Sequence, residues 1–408
     1  MIDLVRNIPN KFLIVVLQMY IISSYVCQET LLPTKINSLL LFVFIGLSIS
    51  YTVRKKKYRV NIHFSIWYFV LFLYSLISSL LLYENVMPTL YQMFVVLILT
   101  FCFSVAITNK QILELTVITY VISAILMGFL IFYYNPVYLL GNLSGLNGVR
   151  LGAEETGNAN IFTALMMFSG VFASWLFFFN KNNLLRIFSI SSLVLILYLM
   201  ALSGGRKTII AVLACTFFFI WKKGGSSKKK KITAIVSICL VMSFLLYMLM
   251  NIPWLYDVVG YRFDGMFSFM EGTGESNVSS DDLRKKMIEI GIQGWTERPI
   301  FGHGLDSYKF YNLDVTGHLF YSHNNYVEML YNFGIMGFLL YYIFIYRLYK
   351  KLISLPVEYY SFSILGIGVI IELLLFDIGG VAYYMNGNMI MLCIVSIIAY
   401  LPTLLNHK

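Results

Sequence analysis

Uninterrupted apolar runs recur from one end of this 408-residue chain to the other. Their length, roughly 18 to 22 residues, is what an α-helix needs to cross a ~30 Å hydrocarbon core. In hydrocarbon the backbone finds no water, so a spanning segment must satisfy its own N–H and C=O groups, as a helix does. A β-barrel would alternate apolar and polar residues, and these runs do not alternate. The chain is therefore expected to be an all-α integral membrane protein. Segments 12–26, 36–53, 62–83, 89–107, 112–134, 159–179, 187–203, 208–221, 232–250, 324–346, 359–376 and 388–404 give about twelve transmembrane helices. The first follows Arg6 and Lys11 as a signal peptide would, but no small-x-small cleavage site comes after it. It is read as a retained span.

Charge then orients the spans. The net charge is +10, and twenty of the 30 Lys and Arg fall in loops on one side, among them 54–59, Lys222, Lys223, 228–231, Lys350 and Lys351. The positive-inside bias makes that side cytoplasmic and puts both termini there. The one large external loop, 251–323, then lies between spans nine and ten. By topology the chain divides into an N-terminal bundle (1–250, about nine spans), the loop (251–323) and C-terminal helices (324–408, about three spans). The basic runs are short and lack interleaved groove-reading or aromatic elements, so they anchor topology on the anionic inner leaflet; nucleic acid is excluded as a partner. Cys27, Cys102, Cys215, Cys239 and Cys393 have no motif spacing and make neither a metal site nor a disulfide framework.

Three external stretches carry polar chemistry. The Gly/Asn-rich stretch 141–160 holds Arg150 and Asn160 and reads either as an ordinary turn-rich connection or as part of a site. The stretch 202–208, LSGGRKT, is too short for a hydrated loop and sets Arg206 at the membrane surface, where it either snorkels or binds. In the long loop, 279–282 (SSDD) is a helix start, and 283–295 is expected to form an amphipathic helix on the membrane surface or against the spans. His303, His318 and His323 follow. With Asp306 or Asp314 they invite a metal, but their spacing matches no recurrent zinc pattern, and no metal is assigned. Asn324, Glu328 and Asn332 stand at i, i+4 and i+8 on the tenth span, a polar stripe that must face a protein interior or a wet cavity. It is either a buried network or a functional cavity. Glu372 and Asp377 are expected to pair with arginines.

These residues carry a resemblance. ERPIFGHGLDSY (297–308) followed by YSHNNYVEMLYNFGIMGF (321–338) resembles the signature of the O-antigen ligase and Wzy-type polysaccharide polymerase family, a PxxGxG turn and then HNxxxExxxxxGxxG. LSGGR (202–206) resembles its S-G-x-R element, and VRLGAEETGNANIFTALM (149–166) its R-x-x-G…N-x-N element. The resemblance implies a GT-C-like membrane glycosyltransferase using undecaprenyl-diphosphate-linked oligosaccharides as donor and acceptor, on the outer face of the bacterial cytoplasmic membrane. It implies catalytic roles for Arg206, Arg284 and His323, with Arg150, Asn160, Asn324, Glu328, Arg262 and His318 as further substrate contacts. His303 stands where the family varies.

The chemistry agrees with those residue types. Breaking a bond between sugar C1 and diphosphate builds charge on an anionic leaving group, and arginine binds phosphate oxygens bidentately without losing its proton. No metal or other cofactor is called for. An imidazole, with an ordinary pKa of ~6.5, accepts the proton of an attacking hydroxyl. A polymerase joining lipid-linked repeat units is the leading expectation, with a capsule, exopolysaccharide or O-antigen product and with flippase and chain-length regulator proteins as partners. A ligase moving the finished glycan to a final acceptor is the alternative. A transporter would show internal repeats with paired broken helices, and no convincing repeat is found.

Overall fold

In the computed structural model the described residues are 11–28, 31–54, 61–79, 86–136, 151–153, 156–223, 279–317 and 319–405, with isolated positions within 232–256. Every α-helix or 3-10 turn among them belongs to an all-helical chain, and the α-helices run α1 Lys11–Val26, α2 Thr34–Arg54, α3 His63–Ser79, α4 Met87–Ala106, α5 Lys110–Tyr134, α6 Ala159–Phe179 and α7 Asn183–Leu202. They continue as α8 Arg206–Lys223, α9 Ser279–Trp295, α10 Ser307–Thr316, α11 Asn325–Ile353, α12 Tyr360–Asp377 and α13 Asn386–Leu405. Seven are long and apolar enough to cross a membrane: α2, α4, α5, α6, α7, α11 and α12 with its leading 3-10 turn. The protein is thus multi-pass. α1, α3 and the stretch Asn386–Pro402 of α13 are apolar but shorter. Of the expected span 232–250 only isolated positions are described, and of residues 251–278 only Asn251 and Tyr256.

The chain divides into two compact units, residues 1–47 with 110–277 and residues 48–109 with 278–408. In the first, α6 is central, packing against α5, α7 and α8, and 72% of its apolar window is buried. α2, which crosses the boundary between residues 47 and 48, buries only 17% of its own window, so most of that apolar surface is left for lipid. In the second, α11 packs against α3, α9, α10, α12 and α13.

Local chemistry explains where helices begin and end. Asn158 caps α6 by accepting from the Asn160 N–H at 2.8 Å, and Asn182 caps α7 by accepting from Leu184 N–H at 2.9 Å. Each satisfies an amide that the first turn leaves without a partner. At the other ends, Arg54, Lys222, Lys223, Lys350 and Lys351 occupy last turns, where a cation faces the negative end of the helix dipole. Lys222 and Lys350 lie over the rings of Phe218 and Tyr346, so their stems stay on apolar surface.

Between helices of the first unit, hydroxyls bridge what dispersion alone would hold. The Tyr25 hydroxyl donates to the Leu165 carbonyl at 2.9 Å and lies 2.9 Å from Ser169 Oγ, which donates to the Tyr120 carbonyl at 2.9 Å. One chain of bonds ties α1, α5 and α6. Interhelical hydrogen bonds in membranes contribute ~0.6 kcal/mol on average. Tyr25→Phe should therefore lower stability by about 0.5–1.5 kcal/mol, measured as a fall of a few degrees in the thermal unfolding midpoint in detergent.

Candidate functional site

The second unit contains a helix break built for one loop. α11 is interrupted at Gly334, whose φ of 61° and ψ of −167° are open to glycine but not to other residues. In an unbroken helix Ile335 N–H would bond the Tyr331 carbonyl, and Met336 N–H that of Asn332. Here Ile335 and Met336 donate instead to the carbonyls of Pro299 and Ile300, at 2.8 and 3.1 Å. The freed carbonyls of Tyr331 and Asn332 accept from His303 and Gly304, at 3.0 and 2.7 Å. Two helical bonds are exchanged for four that hold the turn 299–304. The Tyr74 hydroxyl of α3 closes the crossing from the side, reaching the carbonyls of Phe333 at 2.9 Å and Phe301 at 3.2 Å.

Both glycines of the contact are sterically required. A Cβ on Gly302 (φ 72°) would meet the Asn332 carbonyl and Gly334 N at 2.5 Å, and one on Gly334 would overlap the Ile300 carbonyl. His303 fastens the turn further: its Nε2–H donates to the Gly294 carbonyl at 2.9 Å, and its ring stacks on Tyr331 at 4.5 Å. An open cavity of about 470 Å³ lies along this turn, lined by Ile77, Ser78, Arg298 and 299–304. His323 and Arg284 are not part of its lining.

α9 is the amphipathic helix expected over 283–295, and of the two placements it takes the one against other helices. Met287 packs with Tyr308 and Tyr331, with Leu283 and Tyr311 around them. Gly291 and Gly294 admit the approach: a Cβ at either would overlap Val327 or Tyr331. Tyr308 donates to the Met287 carbonyl at 2.7 Å. The opposite face carries Arg284, Lys285, Lys286 and Glu289, all exposed.

At the head of α11 the motif residues divide into distinct jobs. Asn324 caps the helix, accepting from Val327 N–H at 3.1 Å and donating to the Ile378 carbonyl at 3.3 Å. Glu328 is buried; Oε2 accepts the Ser322 N–H at 2.8 Å and Oε1 the Asn332 side-chain amide at 3.4 Å. Asn332 also accepts from Tyr308 N–H at 3.0 Å and from the Ser307 hydroxyl at 3.2 Å, which anchors the start of α10. The polar stripe is therefore a buried network at Glu328 and Asn332. Between the cap and that carboxylate stands His323, with a left-handed φ of 55°, its ring 4.4 Å from that of Tyr321 and inclined by 50°.

Tyr321 gathers the surrounding charges. Burial and the Glu328 carboxylate raise its hydroxyl above the ordinary range, while the Arg284 guanidinium pulls it down; the net direction is upward. The hydroxyl therefore stays protonated at neutral pH and cannot serve as base. Tyr384, from the turn after α12, is also raised, by burial and then by Glu328, Asp306 and Tyr321. Arg284, Tyr321, Tyr384, Glu328 and His323 thus form one neighbourhood of the second unit.

Other expected residues take other places. Asp306, buried at a left-handed φ of 60°, pairs with Lys309 at 2.8 Å and accepts from Thr89, which commits it to structure. Among the described residues no group of three His, Cys, Asp or Glu could hold a metal ion. The expected pairing of Glu372 and Asp377 with arginines is corrected: Asp377 accepts from the Tyr342 hydroxyl at 3.0 Å, and neither Glu372 oxygen has a hydrogen-bond partner among the described residues. Asn325 was missed. It is buried, donates to the Tyr342 hydroxyl at 3.1 Å and accepts from Ala382 N–H at 2.8 Å. Only its doubling with Asn324 in SHNN marked it.

In the first unit, the turn LSGGR meets the start of α6. The Ser203 hydroxyl donates to the Ala159 carbonyl at 3.4 Å, and a Cβ on Gly205 would meet Thr163 at 2.5 Å. Arg206 at the head of α8 and Asn160 in the first turn of α6 are thereby neighbours of a shared turn, both partly exposed. Arg150, Arg262 and His318 lie outside the described residues.

Residues 191–342 match the family model Wzy_C, described as O-antigen ligase. This is the family whose motifs the segments 202–206 and 297–338 resemble. The match takes in Arg206, Arg284, His323, Asn324 and Glu328, while Asn160 precedes it. A comparison with curated proteins gives no significant match.

Two substitution pairs test these assignments. Gly334→Ala combines a forbidden backbone region with overlap on Ile300 and should cost upwards of about 3 kcal/mol, whereas Gly317→Ala, at φ 75° in open space, should cost only about 1–2 kcal/mol; thermal unfolding in detergent separates them. Asn324→Ala should lose about 1 kcal/mol and Asn324→Ser nearly nothing, because the serine still caps. If Asn324→Ser loses activity while keeping its stability, Asn324 has a role beyond capping.

Proposed function

We propose that this protein is a membrane glycosyltransferase that polymerises undecaprenyl-diphosphate-linked oligosaccharide repeat units on the outer face of the bacterial cytoplasmic membrane. The family match supports an enzyme of the O-antigen ligase and polymerase type acting on lipid-linked glycans. The finer reading rests on one observation: His323, at a left-handed φ of 55° with its ring 4.4 Å from that of Tyr321, follows directly on the Ser322 amide that the buried Glu328 holds.

The reaction forms a bond between an acceptor hydroxyl oxygen and the donor sugar's C1 while the bond from C1 to the diphosphate breaks. His323 takes the hydroxyl proton. The lipid diphosphate leaves with the bonding pair, and Arg284 offers a guanidinium fork to its oxygens; Arg206, in the first unit, is assigned to catalysis on the family resemblance of LSGGR alone. Glu328 acts on His323 through the backbone, by holding the Ser322 amide beside it. Asn160, Arg150, Arg262, His318 and Asn324 are assigned to substrate contact, Asn324 through its cap at the histidine. A single displacement inverts the anomeric centre, and retention of the donor's anomeric configuration in the product would exclude it.

The matching family's character as O-antigen ligase favours a second reading, transfer of a finished glycan to a final acceptor. One assay separates the two. Purified protein with EDTA and lipid-linked repeat units alone should give a ladder of products on a gel. Since a well-placed general base contributes ~10²–10⁴-fold, His323→Ala should lose a factor in that range. Arg284→Ala and Arg206→Ala should lose a comparable factor. Product that forms only after a candidate acceptor is added identifies the ligase; none under either condition removes the glycosyltransferase reading.

A further inference from the structure

Four hydrogen bonds fix the backbone around His323. Ser322 N–H donates to Glu328, the Ser322 hydroxyl donates to the Asn324 carbonyl at 2.8 Å, Asn324 N–H returns to Ser322 Oγ at 3.2 Å, and the Asn324 side chain caps α11. Such over-determination is what a non-glycine residue at φ 55° needs in order to persist. Backbone bonds set where Cα stands, however, and not how the imidazole is turned. A ring that must accept a proton from one direction needs a contact on the ring itself.

We propose that Tyr321 is the positioning residue for His323: its aromatic ring, packed against the imidazole at 4.4 Å with a 50° tilt, selects the rotamer in which the base meets the acceptor hydroxyl. Three features support this. Tyr321 is two residues from His323 and joined to it by the Ser322 turn, so the two rings share one rigid backbone unit. Tyr321 is half-buried among Tyr384, Glu328 and the Arg284 end of α9, which keeps it from swinging away. Its hydroxyl remains protonated, so the ring's contribution is steric and dispersive, as in other tilted aromatic pairs.

This inference rests on the proposed glycosyl transfer, and its test separates the two. Wild type, Tyr321→Phe, Tyr321→Leu and Tyr321→Met are compared on lipid-linked repeat units, with kcat and KM measured separately. Loss of ring orientation in Leu and Met should lower kcat on the order of 10–100-fold, with KM within about threefold of wild type. Tyr321→Phe should restore most of the rate, since it keeps the ring. Two non-aromatic replacements are included so that a folding failure of one, seen as loss of the monodisperse peak in detergent, leaves the other to decide; failure of both with an intact Phe variant, or equal rates in Phe and Leu, overturns the role. So does a change confined to KM, which would assign Tyr321 to sugar binding. An inert wild type overturns the reaction itself and this role with it.

Discussion

Everything distinctive in the second unit depends on an exchange of backbone hydrogen bonds. A helix that enters hydrocarbon cannot leave carbonyls and amides without partners. By breaking at Gly334, α11 releases two of each, and the turn 299–304 supplies the reciprocal two and two. The exchange costs the helix two internal bonds and gives the chain a fixed bend. Beyond it, residues 335–353 cover roughly 28 Å at 1.5 Å per residue, close to the hydrocarbon thickness. Before it, the buried polar residues Asn325, Glu328 and Asn332 can bond to the turns and to α10 instead of competing with lipid.

The spans were legible because their signal is local. Length and continuous apolarity identify a membrane helix without reference to its neighbours, and α2, α4, α5, α6, α7, α11 and α12 follow the expected segments closely. α9 was legible for a similar reason, since the alternation of Leu283 and Met287 with Arg284 and Glu289 states a helical face. What that face meets was not. Tyr308, Val327 and Tyr331 are brought to it by the bend, and no spacing within 279–295 encodes them.

The structural roles of the candidate residues were much less legible than their place in the motifs. His323, Asn324 and Glu328 stand out in sequence, yet the capping by Asn324 and the grip of Glu328 on the Ser322 amide depend on the backbone path through a left-handed histidine. Asn325 was invisible because its partners, Ala382 and Tyr342, lie 57 and 17 residues away. Glu372 and Asp377 misled because a membrane carboxylate suggests a cation, while a tyrosine hydroxyl serves Asp377 equally well as a donor. His303 was conspicuous as a histidine but works as a fastener, holding a carbonyl that any donor of the right reach could hold.

The crossing at Gly334 also decides where the chain tolerates a change of length. Position 299 is paired with 335, 300 with 336, 303 with 331 and 304 with 332, so one residue inserted within either short stretch would slide every pairing out of step. The chain between them, 305–330, is held at its own anchor points: Asp306 to Lys309, Tyr308 to Met287, Ser322 to Glu328. Residues 313–317, Leu319 and Phe320 carry none of those anchors and are largely exposed. Related chains that differ in length should therefore grow or shrink there, while 299–304 and 331–336 keep a constant count.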